Sequence, residues 1–359
     1  MGFIDNPFTI GFGDMPNNYI TRTYQEYQII DTFRAEKPST KAYLITGVRG
    51  TGKTVLLSRV AKVFEEMEGW IVVRLTTETN MLEALEAELA KNPLIHTLYS
   101  KPEVTVNLPA VNVKLGSTAP TGTHISNIRE ILRVTTRMKK RLLLVVDEAV
   151  NTANMRAFLQ AFQDYVSENL QAYILMTGLY MNIGALENAK NMTFLTRTPR
   201  VDLASLKMDQ IVKIYEKEFN ISSENAEEMA AYTSGYPYAF QLLGYIRWLN
   251  KEESMDKILS EYDEMLEEYS YDKIWSELSD TDKEAVKAIA QSETGKVEEI
   301  RKIADMDSNF FNVYRKRLLK TGIVKSPEHG VLKLSLPRFD VFIKNQQKYR
   351  REQKWERHS

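Results

Sequence analysis

The eight residues Gly47-Val48-Arg49-Gly50-Thr51-Gly52-Lys53-Thr54 constrain this chain more than any other stretch. They fit the pattern G-x-x-x-x-G-K-[ST] at every fixed position. The apolar run "KAYLIT" before them reads as a strand, and "KTVLLSRVAKVFEEME" after them as a helix. Such a loop turns its backbone N–H groups inward onto phosphate. The glycines let it turn, Lys53 offers a cation to β and γ oxygens, and Thr54 offers a hydroxyl to Mg²⁺. Gly47, Gly50, Thr51, Gly52, Lys53, Thr54 and the adjoining Val55 are therefore the expected nucleotide-binding residues.

A second motif suits the first. "RLLLVVDEA" is an apolar strand ending in Asp147 and Glu148, and open α/β sheets bind ligands at the C-terminal ends of their strands. Asp147 is expected to hold Mg²⁺ through water, beside the Thr54 hydroxyl, and Glu148 to orient and polarise an attacking water. A kinase acting on a small metabolite has little use for such a glutamate, so the pair favours hydrolysis of ATP. Glu148 could also simply cap the next helix. Thr177 closes the strand "AYILMTG", in a place similar to that where related enzymes carry a polar residue in contact with the γ-phosphate or the attacking water, though a β-branched residue is at home in any strand. Asn182 on the following turn is a weaker candidate. Arg197 and Arg200 in "FLTRTPRVDL" could supply a cation to the chain's own nucleotide or a neighbour's, or be ordinary surface arginines.

Strand and helix patterns alternate from about residue 41 to 203, which implies a largely parallel, doubly wound sheet. "EVTVNLPAVNVKLG" interrupts them and reads as a hairpin insertion around Pro109. From 204 to about 250 the pattern is helical, punctuated at "SGYP". Charge is unevenly spread although the chain of 359 residues carries a net of only -1. Residues 251–282 hold three basic and twelve acidic side chains, a local net of −9, expected to be a connecting helix or linker. Residues 296–359 hold sixteen basic and eight acidic ones, a local net of +8.

With no cysteine there is no thiolate nucleophile or disulfide framework, as suits a reducing cytoplasm. The scattered His96, His124, His329 and His358 lack zinc-ligand spacing. No secretory signal or run of membrane-spanning length is seen, and a soluble cytoplasmic protein is expected.

Together these motifs resemble the AAA+ and related P-loop ATPases. Within them they are similar to archaeal-type ATPases and origin-recognition-type initiators. "NPFTIGFG" with "ITRTYQE" ahead of the phosphate loop, "LLLVVDEA" and "TSGYPYAFQLLG" (233–244) carry the resemblance. It implies a parallel sheet of order 5-1-4-3-2, a helical lid and often a C-terminal winged helix. Two departures stand out. The initiators carry an arginine after the lid glycine, whereas Gly235 is followed by Tyr236, Pro237 and Tyr238. That Gly-x-Pro is similar to signal-transduction ATPases with numerous domains, and it implies that Pro237 lies against the adenine. The Gly-Arg dipeptide usual upstream is Thr21-Arg22 here. Tyr236 or Tyr238 could stack beside the base, or the segment could be plain helix packing.

"SDTDKEAVKAIAQ", "KVEEIRKIADM" and "SNFFNVYRKRLLKTG" read as three helices with Ser279 and Ser308 as caps, and "IVKSPEHGVLKLS" as a hairpin. Three helices and a hairpin resemble a winged helix. If it reads double-stranded DNA, Asn309, Asn312, Arg315, Lys316 and Lys320 face the groove, Lys325 and Lys333 lie on the wing, and "KYRREQKWER" is a phosphate-binding tail.

The expected organisation is an ATPase domain over 1–203, a helical lid over 204–275 and a winged helix with basic tail over 276–359. The expected activity is slow, Mg²⁺-dependent ATP hydrolysis that positions the basic module on DNA, with nucleotide-dependent homo-oligomers possible. The alternatives are a signalling or defence switch that binds a protein partner, and a pseudo-ATPase that holds nucleotide as a structural cofactor.

Overall fold

The computed structural model describes residues 5–11, 15–93, 95 and 123–346. The expected hairpin around Pro109, the basic tail and the end of "NPFTIGFG" fall outside the described residues. The chain divides into two compact units: residues 22–46 with 53–202, and residues 1–21 with 47–52 and 203–359.

The unit of residues 22–46 and 53–202 is built on a parallel five-stranded sheet. Its strands are β1 Ala42–Thr46, β2 Trp70–Leu75, β3 Arg141–Val146, β4 Ala172–Gly178 and β5 Arg200–Asp202. Their order β2-β3-β4-β1-β5, taken from the other edge, is the expected 5-1-4-3-2. Every residue of β1 and β4 is buried, which is why both are continuous apolar runs and not alternating ones.

Helices Thr23–Arg34, Lys53–Glu65, Met81–Lys91, His124–Arg137, Ala153–Ser167 and Tyr180–Glu187 accompany the sheet. Asn80, Thr123 and Thr152 start three of them by accepting a bond from an N–H three residues on. Helix His124–Arg137 ends just before Lys139, which takes a φ of 56°. Phe33, Tyr43, Phe64, Trp70 and Tyr173 form one aromatic cluster, with Phe64 and Trp70 ring centroids 4.3 Å apart. Truncating the fully buried Phe64 would cost about 3–5 kcal/mol.

The other unit contains helices Met208–Phe219, Ser223–Ala231, Pro237–Leu249, Met255–Leu266, Asp272–Ser276, Asp280–Gln291, Val297–Ala304 and Ser308–Thr321. A helical segment over 339–346 follows the antiparallel pair β6 Val324–Lys325 and β7 Lys333–Leu334. One apolar cluster runs through it from Phe8 to Ile343. Phe8 is wedged among Tyr215, Phe219 and Phe240. A Cβ at residue 244 would stand 2.4 Å from the Phe8 ring, so Gly244 is what admits it.

Two expectations are corrected here. Of the two readings of the acidic stretch 251–282, helix holds and linker does not: helices Met255–Leu266 and Asp272–Ser276 lie in it, and Ile258, Leu259, Tyr262, Leu266, Tyr271 and Trp275 bury an apolar stripe beneath its charges. Ser279 does cap its helix, in a reciprocal capping box with Asp282, but the third C-terminal helix is capped by Asp307 and not Ser308. The Asp307 carboxylate accepts from the N–H groups of Asn309 and Phe310.

Candidate nucleotide site

The phosphate loop is shaped by its glycines. Gly50 and Gly52 take φ values of 79° and 85°, in the left-handed region that disfavours a side chain. A Cβ at residue 47 would meet the Thr51 hydroxyl at 2.6 Å, and that hydroxyl donates back to the Val48 carbonyl at 2.9 Å. The chain then enters helix Lys53–Glu65 with Lys53 buried and no carboxylate in the first turn. A helix start without acidic residues leaves the positive end of its dipole uncompensated by carboxylates, which suits an anion.

In the sheet unit, Thr54 donates its hydroxyl to Asp147 Oδ2 at 2.8 Å. Thr177 donates to Asp147 Oδ1 and accepts the Glu148 N–H at 2.9 Å. The Ala149 N–H continues the link to the Thr177 carbonyl at 2.8 Å. Parallel register explains the meeting: Thr177 stands beside Ile45 of β1, and Met176 beside Val146 of β3. Thr177 is fully buried, and its hydroxyl, expected near the γ-phosphate, supports Asp147 and the Glu148 backbone. Glu148 has a φ of 53°, a left-handed conformation costly for a glutamate, and strained backbone of this kind clusters at functional sites.

The same unit holds the other candidates. Arg200 pairs with Glu187, whose side chain is only 9% exposed. Arg197 ends the 3₁₀ turn Thr193–Arg197 and is exposed. Asn182 is half-buried in helix Tyr180–Glu187, and Arg22 is buried just ahead of helix Thr23–Arg34. One cluster escapes sequence reading: Asp202 accepts from the hydroxyls of Thr46 and Tyr180. Burial first, then the Asp202 carboxylate, pushes the Tyr180 phenol up to about 12.

In the other unit, Pro237 opens helix Pro237–Leu249 and is half-buried. Tyr236, expected to stack near a base, is 3% exposed and donates its hydroxyl to the Arg49 carbonyl at 2.6 Å. The Tyr238 N–H donates to the Gly50 carbonyl at 3.2 Å.

A family model described as AAA domain matches residues 31–219, more than half of the chain. The chain belongs to the AAA domain family. Residues 268–343 match a domain of unknown function, DUF8462. No curated protein matches the sequence. Among solved structures, the chain is similar to the Walker-type ATPase of Pyrococcus abyssi, with TM-score 0.61, 16% identity, and 90% of this chain and 95% of that one covered. It is also similar to the Aeropyrum pernix ORC2 protein in ADPNP–ADP complexes, with TM-score 0.58, 13% identity, and 95% and 98% covered. This AAA-domain chain thus has the P-loop ATPase fold, with its two acidic residues after β3 and its glycine loop after β1.

Proposed function

We propose that this AAA-family chain binds ATP with Mg²⁺, hydrolyses it slowly, and uses the nucleotide state to set the position of a winged-helix module on double-stranded DNA. The observation that carries the ATPase reading is the chain of contacts Thr54–Asp147–Thr177–Glu148 at the C-terminal ends of the central strands. The Thr54 hydroxyl and Asp147 carboxylate are hard oxygen ligands within 2.8 Å of each other, a fit for Mg²⁺. Mg²⁺ so held would neutralise charge developing on the phosphate oxygens. Lys53 binds the β and γ oxygens, Gly47 to Val55 cradle the phosphates, and Glu148 orients the attacking water. Pro237 borders the adenine, and Arg197 is the arginine offered to a neighbouring copy's nucleotide.

The coupling follows from composition of the units. Gly47–Gly52 belong to the unit that contains the C-terminal module, so a change in loop shape on phosphate binding is felt within that unit. The proposed domains are ATPase 1–203, lid 204–275 and winged helix 276–359, working in the cytoplasm.

Helix Ser308–Thr321 supports DNA as the partner. It contains no acidic residue and exposes Asn309, Lys316 and Lys320 along one face, with Lys325 and Lys333 exposed on the hairpin. Arg315 lies beside them half-buried, whereas Arg317 is tied to Asp282 at 2.6 Å. Affinity for double-stranded DNA, measured with ATP, ADP and no nucleotide across a salt series, tests this. Lys316→Glu and Lys320→Glu should each weaken binding and flatten the salt slope by about one. Absence of binding, or indifference to both changes, overturns the DNA reading. The same module also exposes Phe310 (46%), Val313 (60%) and Ile303 (39%). These apolar side chains favour the second reading, a signalling switch with a protein partner.

A further inference from the structure

We propose that Tyr236 is a positioning residue for phosphate recognition: by holding the Arg49 carbonyl, it aims the loop N–H groups that receive the nucleotide's phosphates. This rests on the nucleotide-binding reading and assigns that site a residue outside its sequence motif.

A trans peptide is planar, with C=O and N–H pointing in opposite directions. Whatever holds a carbonyl therefore also aims the next residue's N–H. The Tyr236 hydroxyl holds the Arg49 carbonyl at 2.6 Å, which fixes the direction of the Gly50 N–H. The Tyr238 N–H holds the Gly50 carbonyl at 3.2 Å, which fixes the Thr51 N–H. Two successive loop amides, of the kind that cradle phosphate, are thus aimed by the start of helix Pro237–Leu249.

The hydroxyl has one proton, and the Arg49 carbonyl takes it. Ser270, 2.9 Å away and 2% exposed, must then be the donor to Tyr236. Burial raises the Tyr236 phenol above its usual range, so it remains a donor throughout the physiological interval. Gly50 records how closely the ring approaches. A Cβ there would stand 2.1 Å from the Tyr236 hydroxyl oxygen and 2.7 Å from Cζ. The glycine at this variable motif position is required by Tyr236 as well as by its φ of 79°.

The test is calorimetric titration of the full chain and of Tyr236→Phe with ATP, tripolyphosphate and adenosine. The phenylalanine keeps the ring and removes only the hydroxyl. Weakening of about tenfold is expected for ATP and for tripolyphosphate, the effect of one buried hydrogen bond, with adenosine unchanged. Ser270→Ala leaves the Tyr236–Arg49 bond but removes its support, and should weaken the same two ligands by a smaller factor. This second variant serves if Tyr236→Phe does not fold. Unchanged affinity for tripolyphosphate in the variants, or equal losses for all three ligands, overturns the proposal in favour of a packing role. Failure of the unaltered chain to bind ATP overturns the nucleotide reading itself, and this proposal with it.

Discussion

The Thr54 hydroxyl and the Asp147 carboxylate, 93 positions apart in sequence, meet at 2.8 Å. Hydroxyl and carboxylate oxygens are hard ligands, and a pair of them side by side is a donor set that would suit a divalent cation. Thr54→Ala and Asp147→Asn should each reduce Mg²⁺-dependent ATP hydrolysis at least about a hundredfold, and EDTA should do the same to the unaltered chain. Phosphate release assays, with nucleotide affinity measured in parallel, check this. Turnover within a factor of about two of the parent in Asp147→Asn would remove that carboxylate from the mechanism, a change too small to be loss of cation-based stabilisation.

Glu148 combines a proposed catalytic role with a φ of 53°. Glu148→Gln should bind ATP as the parent does and stop turnover, because an amide cannot polarise the water. Glu148→Asn should also be inactive yet more stable by about 1 kcal/mol, since asparagine tolerates the left-handed region. That corresponds to a rise of roughly 2 °C in melting temperature. A fall in melting temperature for the asparagine variant would mean that the glutamate side chain contributes more to the fold than its backbone strain removes.

The phosphate loop and Asp147-Glu148 were legible in the sequence because each is a local pattern whose chemistry needs neighbours in the chain. The alternation of strands and helices was legible for the same reason, and the strand order came from the family resemblance. Contacts set by register or by long-range packing were not legible. Thr177 could be placed at a strand end, but its bond to Asp147 depends on how β3 and β4 align. Tyr236 reaches Arg49 across 187 positions, and nothing local marks that pairing. The acidic run 251–282 left a linker open beside a helix because its many charges mask a narrow apolar stripe.

Arg200 was a candidate transition-state cation, and its guanidinium is engaged by Glu187. The arginine side chain is 25% exposed and the glutamate 9%, so solvent screens the pair only in part. Arg200→Ala leaves Glu187 without this partner and should destabilise by about 2 kcal/mol, below the roughly 3–5 kcal/mol of fully buried pairs. Adding Glu187→Ala should restore part of that loss, which urea denaturation of the double-mutant cycle measures. Strict additivity of the two changes would show that the ion pair contributes nothing to the fold.

Glu299 makes the C-terminal module sensitive to acid. Its carboxylate accepts first from the Thr294 hydroxyl, then from the Ser292 hydroxyl at 2.8 Å and from the N–H groups of Glu293 and Thr294 at 3.0 and 3.1 Å. These donors favour the charged form and push its pKa down from 4.5 to about 2. A depressed carboxylate pKa contributes stability that is fully present above the ordinary value and is lost as pH falls through the folded one. Glu299→Gln should therefore be less stable than the parent at neutral pH, and the gap should narrow between pH 4.5 and about 2. Urea unfolding at a series of pH values measures that gap. A gap that stays constant across this interval would mean that the turn at residues 292–296 depends on the shape of the Glu299 side chain and not on its charge.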